Sequence, residues 1–301
     1  MKKSHTIGYL FGIATVVMWA PSAAVGKLVL GGLDFLQLTF LVMLFSLISI
    51  VIIAATQNKL ATFFRYSPRD HLYIAIIGFI GYFLYQQLYF LAVHLLPAQT
   101  ASILDKLWPI MLVVWLAILL KERFTLLSVG ALFLSFTGVV IISTNGNLLH
   151  LQLNPWGVMS AVSAAVLYGL FSALTKKYHY DIWASAVGFS LVSCVASFIV
   201  MMIFSELPHP TTGQWLGALW LGVVAQSLAT ATLQYALRRG NAAMISNLVF
   251  LTPFLSLVCV SVLVGEKILV SSVVGLVVII LGIFLQMVFG KKRPAEHRQQ
   301  Q

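Results

Sequence analysis

Ten runs of mostly apolar residues, each long enough to cross a bilayer as a helix, take up nearly the whole chain. A span needs roughly 20 such residues. The runs are Ile7–Leu30, Phe35–Thr56, Leu72–His94, Ala98–Leu120, Leu126–Ser143, Trp156–Lys177, Trp183–Ser205, Gln214–Leu237, Ala243–Val264 and Val270–Phe289. They are continuous rather than alternating, which excludes a transmembrane β-barrel. The connections are too short for a soluble domain, and only 9% of residues are charged, against about 25% in soluble proteins. The expected fold is an all-α polytopic membrane protein with ten transmembrane helices. The first run is too long for the core of a signal peptide and is read as a retained span.

The net charge of +10 is a topology signal rather than a nucleic-acid footprint. With the N-terminus inside, 15 of the 18 Lys and Arg residues fall on inner segments, Lys27 and Lys267 fall on outer ends, and Lys106 lies within a span. The positive-inside rule then places both termini in the cytoplasm of a cell whose inner membrane holds the protein. Cys194 and Cys259 fall inside spans and read as small packed hydrophobes. Seven scattered histidines and the few acids show no metal, cofactor or catalytic spacing, so the chain reads as a carrier and not an enzyme.

The chain contains itself twice. A shift of 144 places Gly78 on Gly222, Ala92 on Ala236, Ala98 on Ala242, Ser102 on Ser246, Pro109 on Pro253, Glu122 on Glu266 and Gly138 on Gly282. Nearer the N-terminus the shift is 149, and it places Gly8 on Gly157, Trp19 on Tyr168 and Lys27 on Lys176. Residues 1–147 and 148–301 are thus two five-helix repeats, the second ending in a short basic tail. Five is odd, so the second copy crosses the bilayer in the opposite sense. Such inverted repeats serve alternating access, with the substrate near the midplane between the halves.

Polar side chains mark the faces turned from lipid. In the third span Tyr82, Tyr85, Gln86 and Tyr89 fall at helical spacing on one face. In the eighth, Gln226, Thr230 and Gln234 do the same, with Gln226 and Thr230 equivalent to Tyr82 and Gln86. Amides in lipid are costly unless paired or facing a wet cavity, so two equivalent stripes point to a shared lumen. Trp19 and Tyr168 recur as aromatics at one repeat position. They fit packing and ligand contact equally.

The segment "LDKLWP" sets Asp105 and Lys106 side by side within the fourth span. A charge at mid-helix costs about 2.5–3.5 kcal/mol on insertion scales. Neighbours on a helix diverge by about 100°, so the expectation is that the two do not simply neutralise each other and that each needs a partner on another helix, in water or on the substrate. Outward snorkelling of Lys106 with structural pairing is the bland alternative. Pro21 is expected to kink the first span. Pro109 and Pro253 are expected to stand mid-helix and let their helices flex. Glu122 and Glu266 are expected to anchor span ends by pairing with Arg123 and Lys267. Ser246 and Asn247, near the start of the ninth span, either cap it or line an inner vestibule.

Two five-helix copies, the aromatic in "MWAPS", Pro109 and Pro253, and "KER" and "GEK" after the fourth and ninth spans resemble the EamA-type drug/metabolite transporter superfamily. The resemblance covers essentially the whole chain. It implies a ten-helix bundle whose cavity is bounded by the first, third, fourth, sixth, eighth and ninth helices and which exports small metabolites. Leu107, Trp108 and Pro109 are similar to a segment of bacterial aromatic amino-acid exporters, whereas Asp105 and Lys106 depart from it. The small multidrug transporters of the same superfamily use a first-helix glutamate for proton coupling, and this first helix has no acid. The resulting expectation is a secondary active transporter exporting amino acids or related zwitterionic metabolites. Trp19, Tyr82, Tyr85, Gln86, Tyr89, Trp108, Tyr168, Gln226 and Thr230 would line its site around Asp105 and Lys106, and protons stay open as the coupling ion. Export of organic cations, or carriage of phosphorylated metabolites, is the alternative.

Overall fold

The computed structural model describes residues 2–96, 104–144, 154–264 and 270–289. Every regular element among them is helical, and the chain folds as an all-α membrane protein of ten spans in two inverted repeats. Seven helical stretches are long and apolar enough to cross a bilayer alone, whereas Trp108–Leu120, Leu126–Ile142 and Ala242–Ser256 are shorter.

Side chains at the ends start these helices. Asp34, Ser67 and Thr211 each form a capping box with the residue three positions on, and Thr125, Asn154, Asp181 and Asn241 accept bonds from first-turn amides. Each cap satisfies donors that the helix leaves free. The fourth span ends at Lys121, whose left-handed backbone (φ 52°) stops the helix.

Among the described residues, three spans are interrupted. The first consists of Lys2–Trp19 and Ser22–Leu30, parted at Ala20 and Pro21 as the proline predicts. The ninth consists of Ala242–Val249 and Thr252–Val264, parted at Phe250 and Leu251. The fourth is described from Leu104, turns at Lys106 and Leu107, and continues as Trp108–Leu120. The breaks at 106–107 and 250–251 are equivalent under the shift of 144. They correct the expectation for Pro109 and Pro253: neither is mid-helix, because each sits in the first turn of the helix after the break. That is where a residue without a backbone donor costs least. The third and eighth spans carry matching π-helical stretches, Phe79–Leu84 and Leu221–Leu228, a distortion frequent at functional sites.

The packing has the two-fold relation that the repeats require. The first span packs along the eighth as the sixth packs along the third, the second faces the seventh, and the fifth faces the tenth. Ser46 and Ser190, on the second and seventh spans, share a hydrogen bond of 3.2 Å. The fifth and tenth spans touch backbone to backbone: a Cβ on Gly138 would lie 2.5 Å from the Gly275 carbonyl oxygen, and one on Gly275 would lie 2.6 Å from that of Gly138. Gly138→Val therefore forces two helices apart. Overpacking of this kind costs about 1–3 kcal/mol, and the expected result is a lower Tm of the detergent-solubilised protein. An unchanged Tm would show that this contact is not close.

Candidate functional site

Near the break in the fourth span, aromatic side chains from four spans converge. The rings of Trp19 and Trp108 lie 6.1 Å apart at 88°, Trp108 and Tyr168 5.0 Å apart at 83°, and Trp19 and Tyr168 6.3 Å apart at 61°. Tyr85 lies 4.6 Å from Tyr168. These are edge-to-face and tilted contacts that the ring quadrupoles favour. The repeat-equivalent aromatics Trp19 and Tyr168 thus meet each other across the two halves. The Trp19 indole N–H donates to the Ala225 carbonyl at 2.9 Å, in the π-helical stretch of the eighth span.

The charged pair sits at the edge of this cluster. Lys106 Nζ lies 2.8 Å from Asp105 Oδ2, and the Tyr85 hydroxyl donates to Asp105 Oδ1 at 3.1 Å. This corrects the expectation that the two charges do not simply neutralise each other and that each needs another partner. The 100° divergence holds only on a continuous helix, and the turn at Lys106 frees the lysine stem to fold back. The carboxylate is almost fully buried (4% exposed), while the ammonium side chain keeps 18% exposure. Both oxygens of Asp105 are engaged and Lys106 has spare donors.

The other expected residues separate into two groups. Tyr82 is buried against Phe171 and Phe189, two residues that the polar stripes did not reveal. Thr230 is buried near the hydroxyls of both Tyr82 and Tyr168. Tyr89 stacks on Tyr85 at 6.2 Å. Gln86 and Gln226 are half-buried, and among the described residues no contact ties either to the pair. Glu122 pairs with Lys176 at 2.8 Å, not with Arg123 as expected, because the left-handed turn at Lys121 is followed by extended chain that reaches the end of the sixth span. Glu266 lies outside the described residues. Ser246 and Asn247 do not cap their helix, since Asn241 does; both are fully buried within it.

A second cluster ties the basic end of the bundle. Lys59 pairs with Asp181 at 2.9 Å, the Tyr180 hydroxyl donates to Asp70 at 2.9 Å, and the Asp181 amide donates to the Tyr66 hydroxyl at 3.0 Å. Arg238 donates to the carbonyls of Tyr180 and Thr175 at 2.7 and 3.0 Å. These residues come from the second–third and sixth–seventh connections and from the ends of the sixth and eighth spans. Asp70 lies in "SPRD", and Tyr180 and Asp181 lie in "YHYDIW".

Burial opposes the charge on Asp181, but the Lys59 ammonium and the amides of Ala184 and Trp183 outweigh it, and the carboxyl titrates below its ordinary value. Its folded-state value is the depressed one, so its contribution to stability is complete above the ordinary carboxylate value of about 4 and is lost as pH falls through the depressed value. A pair this open to solvent contributes little, because water screens it. The expected result is that Asp181→Asn flattens the acid side of a plot of Tm against pH below about pH 4. The same slope in both proteins would remove Asp181 from the acid response.

A family model described as the EamA-like transporter family matches residues 6–144 and again 155–288. The chain belongs to the EamA-like transporter family. As an EamA-like transporter it is 23% identical to an uncharacterized transporter of Clostridium kluyveri, over 95% of this chain and 94% of that one. It is 27% identical to a probable terminal-alkyne amino-acid exporter of Streptantibioticus cattleyicolor, over 98% of each. To the aromatic amino acid exporter YddG of Ancylobacter novellus it is 25% identical, over 60% of this chain and 63% of that one. A crystal structure at 20% identity superposes with a TM-score of 0.84, covering 95% of this chain and 98% of the other, which shows a shared fold.

Proposed function

We propose that this EamA-like transporter exports amino acids or related small zwitterionic metabolites by alternating access across a bacterial inner membrane, with its basic end and both termini in the cytoplasm. The observation that carries the reading is the Asp105–Lys106 pair set against the ring cluster of Trp19, Tyr85, Trp108 and Tyr168. The naming of two relatives as exporters of amino acids supports it.

The mechanism follows from charge balance. A lone charge is expensive in this setting, and a pair broken on one side more so. In the empty carrier Lys106 closes on Asp105 and the site has no net charge. A zwitterion exchanges that one pair for two: its carboxylate meets Lys106 and its ammonium meets Asp105, again with no net charge. The rings hold its apolar part. Both loaded and empty sites are therefore neutral when the halves exchange conformations.

Binding of one amino acid and two derivatives, by calorimetry in detergent, tests this. The amide, which lacks the carboxylate, and the N-acetyl form, which lacks the ammonium, should each bind at least about tenfold more weakly than the parent, about 1.4 kcal/mol. An amide that binds as well as the parent, or better, would favour an organic cation as the substrate.

A further inference from the structure

Between the ring cluster and the basic end, the sixth and eighth spans bury polar groups that nothing satisfies among the described residues. Two contacts set the register of these helices. Thr230 lies near Tyr168, and Arg238 donates to the carbonyl of Thr175, 63 residues earlier. The separations differ by one residue, so the helices run side by side in the same direction and Ser172 stands level with Gln234. Gln234 is 3% exposed and Ser172 2%. Both amide atoms of Gln234, the Ser172 hydroxyl and the Arg238 Nε are buried with no hydrogen-bond partner.

Buried polar groups are nearly always paired, and one unpaired level on two facing helices costs free energy that another state must recover. Lipid cannot supply the partners, because these atoms are shielded from it. Water or the substrate can, once the two helices part. The ties of Arg238 to Tyr180 and Thr175, of Tyr180 to Asp70 and of Lys59 to Asp181 are what hold this end shut here.

The geometry points to a second station for the substrate, formed by Ser172, Gln234 and Arg238 on the path between the charged pair and the basic end. This rests on the zwitterion reading above and extends it. The guanidinium, the carboxamide N–H groups and the hydroxyl are donors suited to a carboxylate, and the Gln234 carbonyl oxygen accepts from an ammonium. Thr230, one turn beyond Gln234 and beside Tyr82 and Tyr168, leads from this station to the ring cluster.

The full chain carrying Cys194→Ser, Cys259→Ser and Gln234→Cys, in vesicles with the basic face outward, is treated with a membrane-impermeant maleimide. Residue 234 is expected to react slowly, and at least about tenfold faster when Tyr180→Phe removes the bond to Asp70. Ala236→Cys, on the opposite face of the same helix, should stay unreactive in both backgrounds. No reaction at 234 in either background overturns the station, as does equal reaction at 236, which would mean general loosening.

A second variant needs no cysteine. Gln234→Leu should raise the KM for L-phenylalanine presented at the basic face about tenfold and leave the KM at the other face unchanged. Equal KM changes at the two faces, or none, overturn the station. A protein that carries no amino acid fails the zwitterion reading in the unsubstituted chain, whatever the maleimide shows.

Discussion

Lys106→Met is expected to abolish transport and to lower stability by about 3–5 kcal/mol, because it strands Asp105 as an unpaired buried charge. Asp105 would retain only the Tyr85 hydroxyl, at 3.1 Å, which is a weaker partner than an ammonium. The stability loss alone does not separate a structural pair from a binding pair, and the double variant does. Asp105→Asn together with Lys106→Met removes both charges, and replacing a buried pair by uncharged groups is often neutral for stability. The double variant is expected to regain most of the lost Tm and to stay inactive in transport. Recovery of transport along with Tm would make the pair structural and remove it from substrate recognition. The coupling between the two sites is read from the full cycle of single and double variants.

Trp108→Ala is the second large effect. Trp108 is 2% exposed and touches Trp19 and Tyr168. Removing a buried Trp side chain costs about 3–5 kcal/mol, and here the loss includes ring contacts between three spans. Transport should fall with it. Trp108→Phe separates the two roles, since it keeps an aromatic ring in the cluster but withdraws part of its surface. It should cost less than half as much in stability and still raise KM about tenfold. A Trp108→Phe protein with unchanged KM would assign Trp108 to packing alone.

The spans were legible because lipid imposes a requirement of length and apolarity that every segment must meet. The meeting of Trp19 with Tyr168 was foreshadowed by the repeat, since equivalent positions of inverted copies tend to face one axis. The breaks at 106–107 and 250–251 were hidden by the same lipid requirement. An apolar run stays apolar through a turn buried in protein, so "LDKLWPIMLV" looks continuous. Pro109 and Pro253 gave the right location with the wrong meaning, because a proline that cannot sit inside a helix is well placed to start one.

That misreading carried over to Asp105 and Lys106, whose mutual pairing depends on the turn. Phe189 was not singled out because a buried Phe in a membrane helix has no distinguishing pattern. The ties among Lys59, Asp70, Tyr180, Asp181 and Arg238 were missed for another reason. Charged and aromatic residues are common at span ends, and only the folded chain brings these together.

Counterflow in proteoliposomes tests whether the protein carries amino acids through the Asp105–Lys106 pair. Vesicles are preloaded with one unlabelled compound and the entry of its labelled form is followed. Accumulation is expected for at least one class of amino acid, lost in both Lys106→Met and Asp105→Asn. Accumulation of organic cations or sugar phosphates but of no amino acid, by folded protein, would contradict it.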